Sequence, residues 1–505
     1  MKLKILFYAL FLMIFAMSCN EQIIDPETLS QPSDVNLKAG TIGTTYYVAK
    51  SGSDNNAGSI TSPFLTIQKA ANIVNPGDVV IVDDGNYTTT GGAVVSLTRS
   101  GTAASPITFK SKNKWGAKFD GRSNATDNAF EFNKVSYVNL RDFEFKGFAF
   151  WTIVVNVGSS HIEITGNNIH DIGRLCTDTT YGLVGCYLNE ATDIVFSHNI
   201  LHDIGRFSTG EGGCTNASNN FKNHDHGLYL NGVTNVTASY NVFYNIHNGQ
   251  GMHIYSYNNS SSSNINVLNN TFAFGNSFYA AGHIMIWCSL TNSTLANNIF
   301  YSQVGSGLQI YQGSFVYSNV QIKNNITYLG TGNINEGTAT GVTLTNNMNA
   351  TDPKMVNPAG FDFRLQATSP GINKGINVGL TSDYSSMALV GLPDIGANEY
   401  GSTTSATPPV VTPPVVTPPV VTPPVVTPPV VVTYYSTATS GTATKNSCGT
   451  GYSGSVVTYS VSGGKYSSTT SQADANNKAI ADVSANKQAY ANANGTCTRT
   501  RWRRW

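Results

Sequence analysis

The densest run of titratable side chains in this sequence is Lys222-Asn223-His224-Asp225-His226. Five short segments repeat around it: Gly185–Asn189, Gly227–Asn231, Gly251–Tyr255, His283–Trp287 and Gly307–Tyr311. If each is a strand, alternation sends Leu228, Leu230, Met252, Ile254, Ile284 and Ile286 to one face. The other face then carries two columns. One is Tyr187, Tyr229, His253, Met285 and Gln309; the other is Asn189, Asn231, Tyr255, Trp287 and Tyr311. Histidine and tyrosine are the side chains that pass protons at neutral pH, so His226, His253, Tyr229 and Tyr255 are the catalytic candidates. Arg206, Lys222 and Asn231 carry donors that can hold a carboxylate. Asp225, Tyr187, His283, Trp287 and Tyr311 complete the expected binding set. Hydrolysis of a sugar linkage needs two positioned carboxylates. Asp225, Glu190 and Glu211 are nearby but suggest no pair.

These columns require a scaffold that stacks equivalent strands. Aligning Asn168, Asn199, Asn241, Asn270, Asn298, Asn325 and Asn347 gives steps of 31, 42, 29, 28, 27 and 22 residues. A repeat in the twenties marks a solenoid. Period-two runs such as Ile162-Glu163-Ile164 and Val320-Gln321-Ile322 mean several short strands per coil. Stacked asparagines can bond to those above and below and tolerate left-handed corners. The long step places an extra loop near 207–221, and long loops on rigid scaffolds carry sites. The two His-Asp-Ile-Gly-Arg turns, at His170 and His202, recur with the coil and read as corners ending in Arg174 and Arg206.

Composition agrees. Of 505 residues only 11% are charged, with 29 cationic and 29 acidic side chains, while 40% are hydrophobic and 48 are glycine. A balanced charge argues against nucleic-acid binding, and the scarcity of charge argues against a coiled coil. Lys2 and Lys4 precede an apolar run, Ile5 to Met17, too short to span a bilayer. A Thr-Pro-Pro-Val-Val unit occurs five times from Thr407 to Val431. Polyproline II there would reach about 80 Å, a stiff spacer.

Particular motifs resemble known families. Ala16-Met17-Ser18-Cys19 resembles a bacterial lipobox, which implies cleavage before Cys19, lipidation of its thiol and a membrane anchor. Tyr46-Tyr47-Val48-Ala49-Lys50-Ser51-Gly52-Ser53-Asp54, Pro63-Phe64-Leu65-Thr66-Ile67-Gln68-Lys69-Ala70 and Pro76-Gly77-Asp78-Val79-Val80 resemble the opening of pectate-lyase-like proteins. Those include polysaccharide lyases of the chondroitinase B and alginate lyase kind. The resemblance implies an all-β fold, a right-handed single-stranded parallel β-helix with an N-terminal helical cap near Thr66 to Ile73. Asp394-Ile395-Gly396-Ala397-Asn398-Glu399-Tyr400 is similar to the usual end of such domains. Tyr434 to Cys497 resembles a small domain of unknown function at the end of Bacteroidetes surface proteins. Cys448 and Cys497 flank it and are expected to pair. Cys176, Cys186 and Cys214 offer further pairing, with Cys288 left over. Ser471 and Asp474 read as a capping box opening a helix.

The expected divisions are a signal peptide 1–19, a tether 20–44, the β-helix 45–401, a linker 402–433, the small domain 434–498 and a basic tail 499–505. The resemblance implies a polysaccharide partner, a lipid-anchored outer-membrane location and no nucleic acid; a monomer is expected. Elimination from a polyuronate is the favoured activity. The alternatives are a non-catalytic glycan-binding or adhesion protein, a glycoside hydrolase or a C5-epimerase. Several lyases of this fold use calcium held by clustered Asp and Glu. No such cluster is visible here, so no metal ligand or cofactor is assigned.

Overall fold

The computed structural model describes residues 43–176, 181–215, 223–257, 261–276, 282–311, 313–330, 333–334, 339–401, 433–469 and 472–499. Cys19, Lys222, the apolar N-terminal run, the tether, the proline repeat, Ser471 and most of the basic tail lie outside them. The chain forms two compact units that divide at Val410 and Val411.

The first unit is a stack of coils whose strands form three parallel sheets of 11, 8 and 9 strands. Period-two alternation drives each coil: Ile162, Ile164, Ile194, Phe196, Val236 and Ala238 stack in register on neighbouring strands and are buried. Their outward neighbours are Glu163, Val195 and Thr237. The helix Ile67–Ala71 closes the first coil, with the Thr66 side chain accepting from the Lys69 amide. Asp54 fixes the approach by accepting from the amides of Leu65 and Thr66. Such a cap covers apolar rungs that an open end would expose.

A buried asparagine column runs through the corners. It comprises Asn167, Asn199, Asn241, Asn270, Asn298, Asn325 and Asn347, with Nδ2 donating to the next Oδ1 at 2.9–3.1 Å. The same Oδ1 also accepts the previous asparagine's main-chain N–H. Each Nδ2 donates further to a carbonyl of the preceding coil, as Asn270 does to Ala238. The column begins at Asn167 and not at the expected Asn168. Asn168 is already strand, paired with Ile200, so the residue opposite Asn199 is one earlier.

A second, exposed column was not visible as a motif. Asn264 donates to Asn235 and Asn235 to Asp193. Asn319 likewise donates to Asn292. All five residues have φ between 49 and 57°, the left-handed corner that Asn and Asp tolerate. Near the C-terminal end of the unit, Asn269, Asn297 and Asn324 bond to the backbone of Asp394, Ile376 and Lys374. They fasten a returning segment along the coils.

The second unit packs the helix Gln472–Asn494 on two-stranded sheets, with Val461, Ala479 and Val483 as a small core. Cys448 bonds to Cys497 as expected. A core this small gains from a staple.

Asn270→Ala would orphan the main-chain and side-chain N–H groups of Asn241 and the Ala238 carbonyl. We expect a loss of about 3 kcal/mol in denaturant unfolding. Asn264→Ala, at the exposed column, should cost less than about 1 kcal/mol.

Candidate functional site

The eight-stranded sheet positions the site. Its strands Trp151–Val155, Val184–Asn189, His226–Asn231, Met252–Tyr255, Ile284–Trp287 and Leu308–Ile310 pair in parallel order. The register places Tyr187 beside Tyr229, Tyr229 beside His253, His253 beside Met285, and Met285 beside Gln309. Asn189, Asn231, Tyr255 and Trp287 form the next column. Both outward columns therefore stand as the sequence predicts. Leu228, Leu230, Met252, Ile254, Ile284 and Ile286 are fully buried behind them.

The outward face is the floor of a groove of about 770 Å³. Rings mark successive rungs. Trp151 and Tyr187 are 4.8 Å apart by centroid, Tyr187 and Tyr229 5.2 Å, and Tyr229 and Tyr255 5.8 Å. Trp287 stacks on Tyr311 at 3.7 Å. Five rung steps from Trp151 to Tyr311 make a face roughly 24 Å long. Tyr181, Asn223 and His224 also contribute to the lining, but no residue of 207–215 does. Among the described residues, the lining contains no Asp, Glu, Lys or Arg.

Two histidines sit under the rings. The Gln250 amide donates to His226 Nδ1 at 3.2 Å, and His226 Nε2 faces His253 Nδ1 at 3.2 Å. Because Nδ1 of His226 accepts, the neutral ring carries its proton on Nε2 and donates it to His253. His253 therefore bears its own proton on Nε2. That atom is buried and, among the described residues, has no hydrogen-bond partner. His226 is 2% exposed and His253 9%. Burial first, then the neighbouring His253 and His224, push His226 well below the usual histidine range. Burial, helped by His224, pushes His253 down to about 3. Both are uncharged at neutral pH. Burial, with Tyr187 and Tyr255 adding to it, pushes the Tyr229 phenol upward.

Three expected binding residues, Arg206, Asp225 and His283, are placed elsewhere, and a fourth, Asn231, lies at the groove edge. Arg206 and Asp225 are buried and paired with each other at 2.5 Å. Asp225 also accepts from the amides of Leu183 and Arg206, and Arg206 donates to the Tyr181 carbonyl. This pair ties the segments before two groove strands together, so Arg206 is not presented to a substrate carboxylate. Burial pushes the Asp225 carboxyl up to about 6, against the pull of Arg206. His283 is one residue before the alternation begins on its strand. Its ring lies inside, near Phe272 and Phe300, with Nε2 against the Tyr301 carbonyl. Asn231 is buried at the groove edge, bonded to Tyr187, Asn189 and the Tyr257 amide.

The corner histidines stack in a column of their own. His170 lies on His202 at 4.8 Å and His202 on Tyr244 at 4.6 Å. They belong to the nine-stranded sheet, not to the groove. Arg174 holds Glu211 and lies over Phe207, and Cys176 bonds to Cys214. These contacts anchor the extra loop beside the groove. Cys186 and Cys288 are buried and free. Among the described residues, no three His, Cys, Asp or Glu side chains are placed to hold a metal ion. Trp151, Tyr181 and His224 were missed because they lie outside the five aligned segments. Trp151 lies one coil earlier, paired with Val184, while the partner of Tyr187 is Val154.

Residues 46–201 match the family described as "Pel9A-like, right handed beta helix region". Residues 434–498 match a family of unknown function, DUF5977. No curated protein matches in sequence. Solved structures with a similar chain course include an alginate lyase from Paenibacillus sp. str. FPU-7, 19% identical, covering 56% of this chain and 92% of that one, TM-score 0.37. Pectate lyase Pel9A is 16% identical, covering 71% and 98%, TM-score 0.37. A glycoside hydrolase is 8% identical, covering 61% and 97%, TM-score 0.41. The reading of the site therefore rests on its own residues.

Two outcomes follow. Asp225→Asn leaves the Arg206 charge buried without its partner and should cost about 3–5 kcal/mol in unfolding free energy. Between pH 6.5 and about 3 the unfolded chain binds a proton at His253 that the folded chain does not. Stability should fall there as pH drops, by at most about 1.4 kcal/mol per unit from this group. His253→Gln should flatten that slope in denaturation curves taken across the range.

Proposed function

We propose that the groove binds a glycan containing uronic acid and cleaves it by β-elimination. The observation that carries the reading is a face of rings at sugar-length spacing with tyrosine hydroxyls and His253 at its middle, and no carboxylate among its described lining residues. Elimination needs no pair of carboxylates, whereas hydrolysis does. The C5–H bond breaks, its electron pair forms the C4=C5 double bond, and the C4–O bond breaks. No water is consumed, and the departing oxygen takes a proton. Tyr229, kept protonated by burial, suits the donor to that oxygen. Tyr255, on the next rung in the neighbouring column, suits the base that takes the C5 proton. The aromatic stripe holds the sugars on either side.

We further propose that the chain works as an exported protein held at the outer membrane by lipid on Cys19. The uncharged described lining also favours a second reading, a glycan-binding surface protein without catalysis.

A panel of polyuronates and matching neutral glycans separates the two. Elimination predicts growth of the ultraviolet absorbance of an unsaturated sugar. Tyr255→Phe should reduce the rate by at least about 100-fold, and Trp287→Ala should weaken glycan binding about tenfold. Binding with no absorbance change for any glycan would leave only the second reading.

A further inference from the structure

We propose that His253 is a neutral hydrogen-bond donor for the carbonyl oxygen on C6 of the bound uronic unit, with His226 as the positioning residue that fixes which nitrogen donates. The proposal rests on the reading of the groove as a uronate site.

The argument is geometric. A main-chain amide cannot accept, so the Gln250 N–H forces His226 Nδ1 to be the acceptor. The only proton left on a neutral His226 is at Nε2, 3.2 Å from His253 Nδ1. His253 Nδ1 must then accept, which puts the His253 proton on Nε2. The chain of bonds starts at a backbone group that cannot reverse, so the tautomer of both rings is set by the fold. Among the described residues its last donor has no partner. A buried donor left unpaired costs stability, and such groups call for an explanation. His253 lines the groove at its middle rung, between Tyr229 and Met285.

The class of acceptor follows from what surrounds it. An oxygen bearing negative charge, or gaining it as C5 loses its proton, is what an N–H in a dry site stabilises best. Of the two cations expected for that task, Arg206 is committed to Asp225, and Lys222 lies outside the described residues. A neutral imidazole donor does the same work without a buried charge, provided it stays neutral. The titratable groups that face it are His224, His226, Tyr229 and Tyr255. None of the four is a carboxylate. A free uronate and its methyl ester share this carbonyl, and both are therefore arms of the test.

The test uses the full chain with 15N-labelled histidine. Long-range proton–nitrogen spectra, assigned with His253→Gln and His226→Gln, should give both rings the neutral Nε2–H pattern from pH 5 to 8. Oligogalacturonate, its methyl ester and a matching neutral oligogalactoside are the probes. Either uronate form should move the His253 Nε2–H resonance downfield, and the neutral sugar should not. A larger shift with the free acid than with the ester points to a carboxylate acceptor, and the reverse to an ester carbonyl. His226→Ala should weaken uronate binding about tenfold or more, while His226→Gln, which restores an N–H, should stay within about threefold. Neutral-sugar binding should not change in either. A charged or Nδ1–H His253 overturns the proposal, as does an equal shift with the neutral sugar. If the shift appears but no unsaturated product forms, the elimination reading fails and the donor assignment stands.

Discussion

Every coil from Asn167 to Asn347 is indexed by one hydrogen-bonded asparagine. Its oxygen takes two N–H groups from the previous coil, and its amide returns one to the next asparagine and one to a carbonyl behind it. These groups are buried, so each bond not made would cost a desolvation penalty. A slip of one residue would break the column and turn every strand's apolar set outward. The ladder and the alternation therefore select the same register. Insertions can enter only between rungs, and the long step between Asn199 and Asn241 is accommodated in that way.

That constraint produces the groove. Because neighbouring strands pair in register, an outward position on one coil lies beside its equivalent on the next. Aromatic residues at equivalent positions become a stripe with no further design. Many polar groups that the coils bury are satisfied by asparagine, serine and backbone. The fully buried pair Arg206–Asp225 is an exception, and it sits where the extra loop departs. The low charge of the composition is thus a property of the solenoid. Among the described residues it leaves a groove lined without a charged Asp, Glu, Lys or Arg side chain.

Much of this was legible in the sequence. The two outward columns, the inward residues and six of the seven ladder asparagines follow from period two and from the repeat. Asn168 was misaligned because Asn167-Asn168 offers two candidates, and only strand pairing distinguishes them. Arg206 and Asp225 read as site residues because they are charged and near the loop. Their commitment to each other depends on a contact 19 residues apart that no periodicity encodes. His283 entered the expected binding set as the first residue of an aligned segment, but the strand begins at Ile284 and His283 belongs to the turn before it. The His226–His253 bond required two side chains on adjacent rungs to meet at their ring edges. Alternation brings them near without orienting them. The matched family region covers 46–201 and ends before both of these histidines.

The central claim is that the column from Trp151 to Tyr311 is where a glycan lies, with the His253 rung at its reacting centre. The most direct measurement is a crystal structure of the Tyr255→Phe chain with a uronic-acid oligosaccharide. The account predicts sugar rings along the stripe, about one per rung, and a C6 carbonyl oxygen within hydrogen-bond distance of His253 Nε2. An oligosaccharide bound on another face, or lying across this groove with His253 still unpartnered, would contradict it.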